Sequence, residues 1–175
     1  MNDQGEIWIS RSGVDKSKFQ PEDFIKVDQD GQPYPEYQPV KPSAETLIHC
    51  YVYRHFPKVH CVLHIHSIAA TILSGLFLAQ QRIIFSGYEV IKGIHGQTTH
   101  DTDLALPIFA NDQDMKIFCN QLHDRQQELG NYGFLMAKHG LYAWGDSIGA
   151  AKRHLEVWEF LLECELELLK IKAPS

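Results

Sequence analysis

The chain has 175 residues, 44% hydrophobic and 22% charged, enough for one well-formed core, with no repeat or low-complexity tract to mark a second domain. Its formal charge is -6 and its Lys and Arg are scattered, which excludes the electrostatic footprint of a nucleic-acid or anionic-membrane binder and leaves a small molecule or a protein as partner. No apolar run reaches the ~18 residues of a membrane span, MNDQGEIWIS lacks a signal-peptide layout, and Cys50, Cys61, Cys119 and Cys164 lie far apart without a CxxC pair, so a single cytoplasmic domain with reduced thiols is expected.

In chain order, EIWIS (6–10) reads as a short strand, RSGVD as a turn, FIKVD (24–28) as a second strand and DQDGQP as a turn built on Asp-Gly. PYPEYQPVKP holds four prolines and must be irregular. Ser43 stands where an N-cap would, ahead of AETLIHCYVYRHF, whose Leu47, Cys50, Val52 and Tyr53 trace an amphipathic helix. VHCVLHIH (59–66) predicts a strand, Ser67 to about Gln80 a mostly apolar helix, and RIIF and LPIFA two further strands, after which Asn111 or Asp112 caps a helix to about Glu128. GNYG turns into FLMAKHGLYAWG, two strands bending at His139–Gly140, and Asp146 or Ser147 caps a last helix to about Lys170. Strands and helices alternate, but DGQ and KHG look like hairpin turns. A mixed sheet with helices on its faces follows, rather than a doubly wound parallel one.

His64 and His66 sit at the C-terminal end of their predicted strand, where residues i and i+2 point the same way about 6.5 to 7 Å apart. A lone HxH is as often a pair of core histidines bonded to backbone carbonyls. Position favours a site: the pair immediately precedes a helix, and His139 falls at another strand break, where Gly140 allows a turn or a close backbone approach. Three neutral imidazoles with a further position open to water or substrate are the layout of a catalytic zinc or similar divalent site.

PSAET, HIHS, EVIKGI followed by DTDLALPIFAN, and KHGLYAWG, in this order and at these intervals, resemble the class II aldolase/adducin superfamily. The likeness runs from about Ile7 to Leu168, and is greatest to the branch that dehydrates 5-methylthioribulose 1-phosphate in methionine salvage. It implies a three-layer α/β/α sandwich around a mixed, mostly antiparallel sheet, a homotetramer, one Zn2+ held by His64, His66 and His139, and a phosphorylated ketose as substrate. It also implies Glu89, in GYEVIKGI, as the proton-transferring carboxylate, which would otherwise read as a solvated acid at a helix start. Glu45 is the rival, because sugar-phosphate aldolases of the superfamily use the glutamate of the corresponding Pro-Ser-Ser-Glu block; its plainer reading is a first-turn acid paired with His49.

Ser43 at a helix start suits a phosphate, and the resemblance adds the turn with Ser12 and Gly13 and, more weakly, Lys16. One departure stands out: the helix and Gly-Asn-x-Ser loop that precede the first strand in this family do not occur in MNDQGEIWISRSG. A shortened chain, a downstream start or an altered phosphate site would each account for it, and a weaker grip on substrate is expected. His60 lies too far back to share an ion with His64, His123 and His154 read as surface residues, and His95 and His100 lie in a loop that would serve as a lid. Tyr142, Trp144, Trp158 and Phe160 read as core. The alternatives to dehydration are aldol cleavage or epimerisation of another sugar phosphate, or an adducin-like interaction module without catalysis.

Overall fold

The computed structural model of the protein describes residues 1–2, 4–15 and 18–172. Ile7–Ser10 (β1) and Phe24–Val27 (β2) form an antiparallel ribbon with Ile7 opposite Val27, and its alternation turns Ile7, Ile9, Ile25 and Val27 inward. The proline-rich stretch that follows is irregular apart from a 3-10 turn at Pro35–Tyr37.

The main sheet contains Cys61–Ile65 (β3), Arg82–Ser86 (β4), Asp103–Phe109 (β5), Gly133–Met136 (β6) and Gly140–Gly145 (β7) in the order β3-β7-β6-β5-β4. Every neighbouring pair is antiparallel except β5 and β6, so the sheet is mixed and mostly antiparallel. Among the described residues four α-helices cover it: Thr46–His55 (α1), Ile68–Leu76 (α2), Met115–Asp124 (α3) and Ile148–Lys172 (α4).

Period-two alternation in the central strands assigns the layers. Phe134, Met136, Tyr142 and Trp144 pack with Ile48 and Val52 of α1 and Phe118 and Leu122 of α3. Leu135, Leu141 and Ala143 face the other way, against Leu73 of α2 and Trp158 and Leu161 of α4. Every residue of β6 and β7 is buried, which is why their sequence is apolar without a break. Burying each large apolar side chain contributes about 1.5–3 kcal/mol, so the two central strands anchor both helical layers. The expected α/β/α sandwich is the fold.

Differences from the sequence reading concern ends and caps. Helix α1 starts at Thr46 with Glu45 at its N-cap; Ser43 stands one turn earlier, its carbonyl accepting from the Thr46 N–H and hydroxyl at 3.1 and 2.7 Å. Asp114 rather than Asn111 or Asp112 caps α3, accepting from the Lys116 N–H at 2.8 Å, and the helix gives way to a 3-10 turn at Gln126–Asn131. Phe160 is half exposed on α4 instead of core, whereas Tyr142, Trp144 and Trp158 are buried as expected. All four cysteines are free, with Cys50 fully buried and its thiol pushed up to about 12 by that burial. Among the described residues no helix is long and apolar enough to cross a membrane.

Candidate metal centre

Strand β3 is an edge strand paired to β7, which sets His64 opposite Tyr142. Opposed residues of an antiparallel pair share a face. The His64 ring stacks on Tyr142 at 4.0 Å between centroids and 17° between planes, and Tyr142, fully buried, stacks on Phe134 at 4.7 Å. The imidazole therefore rests on a packed aromatic column. Its Nδ1 donates to the Leu141 carbonyl at 3.0 Å. A carbonyl can only accept, so the ring proton belongs on Nδ1 and the Nε2 lone pair is turned into the site.

Strand β3 ends at Ile65, and His66 lies past it, just before Ser67 caps α2 by accepting from the Ala70 N–H at 3.1 Å. The ladder thus spans Cys61–Ile65, inside the expected strand 59–66, and stops one residue before its expected end. The chain stays extended through Ser67, and the Nε2 atoms of His64 and His66 come within 2.9 Å. His139 arrives from the tight turn joining β6 to β7, its Nε2 3.0 Å from that of His66 and 3.0 Å from Glu45 Oε1. The other Glu45 oxygen lies 3.7 Å from His64 Nε2. Glu45 makes no side-chain cap bond to its own helix; its carboxylate serves the imidazoles instead.

The four donor atoms of Glu45, His64, His66 and His139 lie within 4.8 Å of one another. A tetrahedral ion with bonds of about 2.0–2.1 Å to nitrogen separates its ligands by about 3.3–3.4 Å, so a slight widening of the present spacing would admit one. Three imidazoles and a carboxylate are a donor set suited to a divalent transition metal. His66 is exposed while the other three are half-buried, so the cluster opens to solvent on its side. Gly140 makes this closeness possible. A Cβ there would fall inside the Ile65 carbonyl oxygen and lie 2.9 Å from His64 Cε1 and 3.1 Å from His66 Cδ2.

The structure thus brings together His64, His66, His139 and Glu45, and places Glu89 elsewhere. Glu89 opens a 3-10 turn after β4, its side chain 68% exposed, paired with Lys92 and, at 3.1 Å, with His100; Lys92 above all holds its carboxyl below the usual range. Ser12 and Gly13 lie in an exposed turn beside Ser43: the Ser12 N–H donates to the Lys41 carbonyl at 2.8 Å and the Ser43 N–H to the Ser10 carbonyl at 3.0 Å. Lys16 lies outside the described residues. A cavity of about 180 Å³, bounded by Trp8, Phe24, Tyr53 and Ser43, reaches Glu45 and His64, whereas a larger one of about 830 Å³ along α1 does not touch the histidines.

Two residues play parts that sequence reasoning missed. Tyr142 backs His64, a role visible only once the pairing of β3 with β7 is known. His154 is 1% exposed rather than a surface residue; its Nδ1 donates to the Trp144 carbonyl at 2.7 Å and its Nε2 accepts from the His95 N–H at 3.1 Å. His123 is exposed as expected.

Three imidazoles and a carboxylate gathered at a strand end of an α/β/α sandwich are the arrangement of a class II aldolase-type enzyme. The chain belongs to that family: residues 1–166 match the Class II Aldolase and Adducin N-terminal domain. It is 71% identical over 168 residues to a methylthioribulose-1-phosphate dehydratase of Picosynechococcus sp., covering 96% of this chain and 79% of that protein. It is 46% identical over 172 residues to one of Xanthomonas campestris pv. campestris, covering 98% and 78%. Among solved structures, an L-fuculose 1-phosphate aldolase superposes with a TM-score of 0.76 over 99% of this chain and 74% of its own, at 18% identity. Another, from Thermus thermophilus, gives 0.69 over 94% and 80% at 21%. These two likenesses are of fold.

Proposed function

We propose that the chain is a zinc-dependent hydro-lyase that converts 5-methylthioribulose 1-phosphate to 2,3-diketo-5-methylthiopentyl 1-phosphate in methionine salvage, working as a cytoplasmic homotetramer. The observation that carries the reading is the 71% identity to a named dehydratase over 96% of the chain. The site is chemically suited to it. The reaction removes a proton from the carbon beside a carbonyl and then hydroxide from the next carbon. His64, His66 and His139 would hold a divalent cation, which when bound would supply Lewis acidity for such a carbonyl.

The chain's own groups do the rest. The Leu141 carbonyl and the Tyr142 ring fix His64 with its lone pair inward. Glu45 faces the same Nε2 atoms of His139 and, less closely, His64, so its carboxylate would stand beside the cation as a further oxygen donor or a base rather than hold the rings from behind. Proton transfer is assigned to Glu89, whose pairs with Lys92 and His100 hold it ionised but lower its basicity, so it accepts a proton only once they open. Release of those pairs as substrate arrives is part of this assignment. The Ser12–Gly13 turn and Ser43, side by side, form a wall for the phosphate, with Lys16 as a further donor.

Glu45 at the cluster favours a second reading, in which Glu45 carries the proton and the chain cleaves a sugar phosphate by an aldol route. One experiment separates the readings. Chelator-stripped protein is reloaded with zinc, given 5-methylthioribulose 1-phosphate, and its products are followed by NMR. Metal-dependent appearance of the diketone supports dehydration. Cleavage fragments, or no product at full zinc occupancy, would overturn it.

A further inference from the structure

Helix α2 is apolar, yet it carries Thr71 and Ser74, three residues apart and so on one face. Ser74 is fully buried, and a buried hydroxyl needs partners. It donates to the Thr71 carbonyl at 3.2 Å and accepts from the Lys138 N–H at 2.9 Å. The Thr71 hydroxyl donates to the His139 carbonyl at 3.2 Å. Two consecutive residues of the β6–β7 turn are thus tied to one helix through backbone groups, leaving the His139 ring to the cluster.

The turn needs such ties. Lys138 has φ +55°, a left-handed conformation that costs a non-glycine residue free energy and persists where the surroundings over-determine it. A third contact adds to the restraint: the Lys138 stem lies over Gly75, where a Cβ would come within 2.9 Å of Lys138 Cγ. The same helix is fixed at its other end. Ser67, the residue after His66, caps α2 and donates to Glu159 of α4 at 2.7 Å.

We propose that Thr71 and Ser74 are positioning residues that latch the His139 turn to α2, so that this helix, beginning directly after His66, sets the separation of two of the three imidazoles. The inference rests on the metal reading of the cluster for its consequence, but the latch itself is independent of any ion.

The test uses the full chain with Ser74→Ala, Thr71→Val and, as the conservative control, Thr71→Ser. Zinc affinity is measured by chelator competition, and hydrogen exchange of the Lys138 amide is followed by NMR in the metal-free protein. Groups that orient metal ligands typically contribute 10- to 100-fold in affinity. Ser74→Ala and Thr71→Val should each weaken zinc by about tenfold or more, Thr71→Ser should stay within about threefold, and Ser74→Ala should speed exchange at Lys138. Wild-type zinc affinity in both Ser74→Ala and Thr71→Val overturns the positioning role. If Ser74→Ala fails to fold, Thr71→Val, at a partly exposed position, decides on affinity alone. If the wild type binds no metal, the metal reading fails, and unchanged Lys138 exchange in Ser74→Ala would then sink the latch as well.

Discussion

Gly140→Ala adds one methyl group where the structure has no room for it. The new Cβ would overlap the Ile65 carbonyl oxygen and stand 2.9 Å from His64 Cε1 and 3.1 Å from His66 Cδ2. Carbon atoms settle at about 3.5–4.0 Å, so the end of β3 and both rings must recede by about 0.5–1 Å. A functional constellation tolerates displacements of about 0.5 Å, so two of the three imidazoles leave their positions together. Overpacking of this kind costs about 1–3 kcal/mol, against a gain of about 0.4–1 kcal/mol from stiffening the unfolded chain. A net loss of about 1–2 kcal/mol lowers the melting temperature of a domain this size by about 2–8 °C. Zinc affinity should fall about 10- to 100-fold. The control is Gly149→Ala in α4, where nothing lies within 4 Å of the added carbon and stability should hold or rise. Chelator competition and thermal unfolding of metal-free protein read both effects. Gly140→Ala with zinc affinity within about threefold of wild type and an unchanged melting temperature would refute the reasoning.

His66→Ala or His139→Ala should each bring bound zinc well below one per chain and abolish turnover with it; metal analysis alongside the product assay checks this, and full zinc in both variants refutes the ligand assignment. Glu89→Gln keeps size but not basicity, so turnover should drop about 100-fold or more at unchanged metal content, with Glu45→Gln the milder change. The opposite ranking in single-turnover kinetics would move the proton to Glu45. Burial above all lowers the pKa of His154, with Arg153 and His95 adding to it and the Trp144 carbonyl and Asp146 opposing. The folded imidazole stays neutral where the unfolded one already takes a proton, so the stability concerned is complete above about pH 6.5 and declines as pH falls toward the folded value. Urea midpoints of the wild type should decrease from about pH 7 to about pH 5, and less steeply in His154→Gln; equal slopes would contradict the linkage.

The layers and the three histidines were legible because their signals are local. The unbroken apolar runs of β6 and β7 mark strands covered on both faces, and HIHS and KHG mark strand ends by the helix cap and the glycine that follow. The end of the ladder at Ile65 was not, since VHCVLHIH has strand character to its last residue and only the Ser67 cap marks a stop. Glu45 and Glu89 show the limit more sharply. Both read as acids at a helix start, and both do begin helical turns, but Glu45 turns to His64 and His139, which are distant in sequence, whereas Glu89 pairs with Lys92 in its own turn and with His100 beyond it. The same holds for the hydroxyls of α2. In IAATILSGL a Thr and a Ser are neutral by propensity, and their spacing of three gains meaning only when the turn at Lys138 and His139 is laid against that face. A cluster assembled from separate elements therefore exposes its candidate ligands to sequence reading but hides the groups that aim them, because a candidate ligand must be a particular residue type, whereas any donor or acceptor in the right place can hold it.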